Sequence, residues 1–185
     1  MGNFHLNQAI MTLNKGGIIA YPTEAVFGLG CYPEDFYAVA KILSLKKRSV
    51  RKGLILIAAR VDQIAPYVEY PDDEARQEVN RTWPGPITWV LPAKVSVPYW
   101  ITGEMTTVAV RVCAHPVVQA LCHRVGAIVS TSANPLRCTP AINTIKVRGY
   151  FGNKIDYILP GETGSKCLPT EIREASTGKV LRSSD

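Results

Sequence analysis

Two short patches, far apart in the chain, concentrate the residue types that do chemistry. Lys46-Lys47-Arg48, with Arg51 and Lys52 close behind, place five cations within seven positions. Ser130-Thr131-Ser132-Ala133-Asn134 follows the apolar run Ala127-Ile128-Val129 and supplies three hydroxyls and an amide where a strand should end. Clustered cations beside neutral hydrogen-bonding groups suit a polyphosphate together with the small parts of a nucleotide. A helix C-terminus is the negative end of the helix dipole and favours one or two cations, but hardly five.

Other motifs fail on order or spacing. Gly28-Leu29-Gly30 has the beginning of a dinucleotide fingerprint, but Pro33 stands at its third glycine and no acidic ribose ligand is evident. Gly161-Glu162-Thr163-Gly164-Ser165-Lys166 has the composition of a phosphate loop without its order, and the Gly-x-Ser-x-Gly of a serine hydrolase is absent. Both glycine-containing stretches read as flexible loops, of a kind that can still close over a ligand. The five cysteines, Cys31, Cys113, Cys122, Cys138 and Cys167, are odd in number, form no CxxC and follow no apolar leader, so reduced thiols in the cytoplasm are expected. Cys122-His123 and Cys113-Ala114-His115 lack the paired spacing of a zinc site and read as core cysteines and surface histidines, so no protein-held metal is expected.

These residues need elements to position them. With 46% hydrophobic and 19% charged residues, the 185-residue chain is composed as a soluble globular protein, and its longest apolar run is too short to span a bilayer. The net charge of +6 favours an anionic partner: nucleotide, RNA or DNA. Leu6, Ala9, Ile10 and Leu13 repeat at helical spacing, stopped by Gly16-Gly17. Ile18–Tyr21 reads as a strand, Phe27–Gly30 as a turn, and a helix from about Glu34, with the stripe Phe36, Val39, Ile42, Leu43, delivers the Lys46–Arg48 cluster. Further strands are expected at Leu54–Ala58, Ile87–Leu91, Thr107–Val112, Ala127–Ser130, Tyr157–Leu159 and Lys179–Leu181. Helices are expected at Asp72–Thr82, Pro116–Val125 and Asn143–Phe151. Some strands follow one another with no room for a helix between them. The expected fold is therefore α/β of α+β-like character: a mixed sheet with helices packed against it, one domain over 1–185.

Five blocks in order carry a resemblance: Ala20–Gly30, Lys46-x-Arg48, Trp83-Pro84-Gly85-Pro86-Ile87-Thr88, Val108-Ala109-Val110-Arg111 and Ser130–Asn134. Together with Pro160–Gly164 and Pro169–Arg173, they resemble the threonylcarbamoyl-AMP synthase (YrdC-like) family in its short form, over nearly the whole chain. The resemblance implies a twisted mixed sheet around a deep electropositive cavity. It also implies condensation of L-threonine, bicarbonate and ATP to threonylcarbamoyl-AMP and pyrophosphate; that chemistry calls for a divalent ion on the phosphates, and with no carboxylate cluster in the sequence Mg²⁺ is expected to arrive on the ATP. Partner proteins would then transfer the product to the adenosine beside the anticodon of certain tRNAs.

Carried over residue by residue, the family's motifs assign Lys46 and Arg48 to the ATP phosphates and Ser132 and Asn134 to the nucleotide and the reacting groups. Arg182 and, more weakly, Thr139 match ATP contacts. Arg111 is the candidate for the threonine carboxylate, because a guanidinium meets a carboxylate with two parallel hydrogen bonds. Thr23, Ser130 and Thr170 match positions near the threonine, with Thr107 weaker; the alternative for Thr23, in its Pro-Thr-Glu turn, is that it merely caps the next element. After Ser-Ala-Asn the family usually continues Leu-Ser-Gly, whereas here Pro135-Leu136-Arg137 follows, which makes Arg137 a candidate extra cation near the phosphates. The rival reading is a non-catalytic module binding tRNA or double-stranded RNA through the same basic cavity. Few aromatics lie in the basic segments to stack single-stranded bases.

Overall fold

The computed structural model describes residues 2–164 and 170–183. Cys167, with Ser165 and Lys166 of the 161–166 loop, lies outside the described residues. Side-chain caps set several helix starts. The Asp35 carboxylate accepts the N–H of Ala38 at 3.0 Å and opens α2 (Phe36–Lys46), while Asp72 does the same for Ala75 at 2.7 Å in α3 (Asp73–Thr82). α5 (Pro116–Val125) begins on a proline and stops at Gly126, whose φ of +82° suits glycine alone. α1 (Asn3–Asn14), the short α4 (Tyr99–Thr102) and α6 (Thr144–Phe151) complete the α-helices among the described residues.

Nine described strands form one mixed sheet: β1 (Ile19–Pro22), β2 (Phe27–Gly30), β3 (Ile55–Ala58), β4 (Thr88–Pro92), β5 (Thr107–Val112), β6 (Ile128–Ser132), β7 (Tyr157–Ile158), β8 (Ile172–Glu174) and β9 (Val180–Arg182). Their order is β7-β1-β2-β6-β3-β5-β4-β8-β9. The pairs β1/β7, β3/β5 and β4/β8 are parallel and the rest antiparallel, as the expected mixed sheet requires.

Phe27–Gly30 is a strand where a turn was expected. Tyr21 lies directly across from Gly28, and its ring fills the space that side chains on β2 would occupy. A Cβ on Gly28 would stand 3.1 Å from Tyr21 Cζ; on Gly30 it would meet Tyr21 Cε1 at 2.8 Å and the Val129 carbonyl at 2.7 Å. The glycines make room for a neighbour and do not reverse the chain. α4 and β8 were not expected either, because four and three residues are too few to show a period. Phe36, expected in the apolar stripe of α2, is exposed, and the buried face runs through Ala38, Val39 and Ile42 to Lys46.

Alternation along the strands gives the sheet two unlike faces. Ile18, Ala20, Leu29, Leu56, Val110 and Val129 belong to the larger core, which α2, α3 and α6 supply with Val39, Ile42, Val79, Val147 and Phe151. On the other face, Ile19, Tyr21, Ile57 and Ile128 are covered by Leu6, Ala9 and Leu13 of α1 and Val118, Leu121 and Cys122 of α5. Continuing across that face, Ser130 and Ser132 of β6, with Gly28 of β2, Ala109 of β5 and Thr88 of β4, line a hollow.

Gly30→Ala should lower stability by about 1–3 kcal/mol through overpacking, whereas Gly149→Ala in α6, whose added methyl meets nothing, should raise it by about 0.5–1 kcal/mol. Urea unfolding of the two variants measures both.

Candidate active site

The hollow encloses about 490 Å³. Its floor is the uncovered part of the sheet, where small and polar residues on β2, β4, β5 and β6 leave space that larger side chains would fill. Leu54, Ile101 and Met105 give one wall an apolar character. Arg48, Lys52, Arg111 and Arg182 all line it, and no Asp or Glu is among the described lining residues. The expected electropositive cavity is present.

The basic cluster does not act as a unit. Arg48 reaches back to the Gly53 carbonyl through Nη2 at 2.9 Å and Nε at 3.3 Å, which holds its half-buried guanidinium against the cavity; burial lowers its pKa. Lys52 also faces the cavity, whereas exposed Arg51 pairs with Glu104 at 3.2 Å. Lys47 is exposed and closes α2 in the left-handed conformation, φ +50°.

Lys46 is turned the other way. Its Nζ donates to the carbonyls of Ser132 at 2.5 Å and Asn134 at 3.0 Å and to Asn134 Oδ1 at 3.3 Å, so its three donors are matched by three acceptors. Asn134 Nδ2 donates to the Cys138 carbonyl at 2.7 Å and the Pro135 carbonyl at 3.1 Å. Lys46 and Asn134 thus lie behind the cavity wall and brace the segment that places Ser132 on it. Burial, and secondarily Arg48, lowers the Lys46 pKa to about 8. Thr139 stands outside the lining, exposed, accepting from Lys146 Nζ at 2.8 Å. Arg137 is also exposed and outside the lining, in a left-handed turn with φ +65°.

Thr23, Ser130, Thr170 and Thr107 all line the cavity. Thr23 also closes its own turn, its Oγ1 donating to the Val26 carbonyl at 2.8 Å. Arg182 donates to the Thr170 carbonyl through Nη2 at 2.6 Å and Nε at 3.2 Å; burial, then the charge of Arg111, lowers its pKa. Arg111 is 6% exposed and faces Glu24 Oε2 at 3.3 Å.

Two residues escaped the sequence reading. Thr88, almost fully buried, lies on the cavity beside Val90, and a period-two count along β4 would have placed both on one face. Glu24 sits within a motif already singled out, but its partner is 87 positions away and no spacing rule connects them. His115, expected on the surface, is buried at the start of α5, where its Nε2 lies 3.1 Å from the Glu162 carbonyl; burial lowers its pKa. Cys31, Cys113 and Cys122 are buried free thiols as expected of core cysteines, whereas Cys138 is exposed in the 135–138 turn. Among the described residues no helix is long and apolar enough to cross a membrane, and no three His, Cys, Asp or Glu side chains converge as metal ligands.

Residues 11–184 match the Sua5/YciO/YrdC family model, described as telomere recombination. The chain is 49% identical over 183 residues to a threonylcarbamoyl-AMP synthase of Cellvibrio japonicus, covering 98% of this chain and 97% of that protein. It is 50% identical over 179 residues to one of Coxiella burnetii, covering 96% of each. In structure it superposes on P. abyssi Sua5 complexed with L-threonine with a TM-score of 0.91 at 30% identity, covering 98% of this chain and 54% of that longer one. E. coli YciO gives a TM-score of 0.82 at 27% identity, covering 96% and 87%.

The lowered pKa of Lys46 predicts a pH signature. A lysine whose folded pKa is about 8 against an ordinary 10.5 binds fewer protons when folded between those values, so stability contributed at this site rises with pH across that window. Lys46→Met should remove a rise of up to about 1 kcal/mol per pH unit, measured by urea unfolding from pH 8 to 9.5.

Proposed function

We propose the reaction that follows from one premise: the chain belongs to the Sua5/YciO/YrdC family and, within it, to the threonylcarbamoyl-AMP synthases. It is a nucleotidyltransferase by that membership. Its substrates are L-threonine, bicarbonate and ATP, and its products threonylcarbamoyl-AMP, pyrophosphate and water. The observation that carries this reading is that one cavity joins phosphate-seeking cations to small hydroxyls around a buried arginine.

Arg48, Lys52 and Arg182 receive the triphosphate, with Ser132 donating a neutral hydrogen bond and Leu54, Ile101 and Met105 offering an apolar surface to the nucleoside. Arg111 takes the threonine carboxylate, and Thr23, Ser130 and Thr170 meet the amine and hydroxyl of the amino acid. The amine attacks the bicarbonate carbon and water is lost, leaving a carbamate. A carbamate oxygen then attacks the α-phosphorus, and the bond to the β-phosphate oxygen breaks to release pyrophosphate. No covalent enzyme intermediate is required. The protein contributes alignment of the three reactants and cations that stabilise charge on the departing pyrophosphate. The donor set fits a Mg²⁺ that arrives on the nucleotide, held by phosphate oxygens and water, because the described lining has no carboxylates to bind one independently. When bound, that ion supplies further charge neutralisation on the phosphates.

The mixed anhydride formed is a reactive acyl-phosphate donor. We assign its use to partner proteins that transfer the threonylcarbamoyl group to tRNA, in the cytoplasm.

With ATP, Mg²⁺, labelled L-threonine and bicarbonate, the purified protein should release pyrophosphate and form a threonine-bearing adenylate. Arg48→Ala and Ser132→Ala should each lower the rate by about two to three decades, with melting temperatures close to wild type. Product formation at the wild-type rate by both variants would overturn the assignment of this wall to ATP.

A further inference from the structure

Glu24 comes from the turn between β1 and β2, yet its carboxylate lies at the far end of β5. There Oε1 accepts the backbone N–H of Ala114 at 3.2 Å and the thiol of Cys113 at 2.9 Å. Burial pushes the Cys113 thiol up, so it remains protonated and able to donate. The carboxylate is pinned by the same strand end that carries Arg111, and the Glu24 backbone is packed closely by Gly164, where a Cβ would stand 2.6 Å from the Glu24 carbonyl.

Against Arg111 the contact is different in kind. Glu24 Oε2 and Arg111 Nη2 are 3.3 Å apart with side chains 13% and 7% exposed, yet Oε2 accepts no hydrogen bond and Arg111 Nε donates none. Glu24 therefore opposes the charge of Arg111 without that oxygen occupying the directional bonds of the guanidinium. The distinction matters in a cavity whose described lining has four cations and which must receive a polyphosphate, an amino-acid carboxylate and bicarbonate. The attraction of a cation for a ligand scales with the ligand's charge, so an opposed charge removes far more of its hold on a polyphosphate than on a single carboxylate. The carboxylate retains what charge does not supply, the two parallel bonds of a planar fork.

Building on the proposed substrates, we propose that Glu24 is a positioning residue that reserves Arg111 for the amino-acid carboxylate by cancelling its attraction for phosphate. The triphosphate is thereby confined to Arg48, Lys52 and Arg182. Arg182 and Arg111 line the same cavity, so this assignment sets the boundary between the two subsites between them.

The test is equilibrium binding of labelled L-threonine with and without saturating inorganic tripolyphosphate. In wild-type protein the threonine Kd should change by less than about twofold, whereas in Glu24→Gln tripolyphosphate should weaken threonine by about tenfold or more. Glu24→Asp, which keeps the charge, should follow the wild type even where its melting temperature falls. A structural defect alone would not separate Gln from Asp in this way. Three results overturn the proposal: tripolyphosphate without effect on Glu24→Gln, Glu24→Asp behaving like Glu24→Gln, or competition already present in the wild type, which needs no variant to fold. Wild-type protein that binds no threonine would instead refute the substrate assignment on which the proposal rests.

Discussion

Side chains on a strand alternate faces, so Ile128, Ser130 and Ser132 of β6 are obliged to share one side of the sheet. So are Thr107, Ala109 and Arg111 of β5. The near part of that side is apolar and buried under α1 and α5. The far part is small or polar and stays uncovered. The cavity is what remains when a two-residue period continues past the end of its helical cover. Thr88, Arg111, Ser130 and Ser132 stand on strands whose opposite face is packed core, which helps to fix their directions.

The same economy operates in the two signature motifs. Lys46 and Arg48, two apart at the end of a helix, part company: one reaches behind the wall and the other lines it. Ser132 and Asn134 divide likewise, and the two hidden members bond to each other. A buried ammonium is tolerable only where oxygen atoms surround it, and the carbonyls of Ser132 and Asn134 provide them. The brace and the surface it supports come from the same short stretches of chain.

The mixed sheet, most helices and the gathering of Arg48, Arg111, Ser130, Ser132, Thr170 and Arg182 around one hollow were legible in the sequence. Apolar periodicity, capping residues and motif order carried that information. The strand character of Phe27–Gly30 was hidden because glycine is normally a turn signal, and only the position of the Tyr21 ring shows its other use. The burial of His115 and the bonding of Lys46 depended on carbonyl groups distant in sequence, which composition does not record. Glu24 was visible as a letter in a motif but not as the counter-charge of Arg111, since the hairpin that brings it there crosses the ends of other strands. Local rules found elements and candidates. Partnerships between remote side chains needed the fold.

Arg182 stands apart from the other cavity cations in where it sits. It belongs to the outermost strand, three exposed residues with an irregular register against β8, tied through its own guanidinium to the Thr170 carbonyl. Margins of this kind fray at a small fraction of the free energy that opens a core. A ligand gripping Arg182 would therefore rivet the border of the sheet as well as fill the hollow. Occupancy and order at that border become one equilibrium seen from two sides.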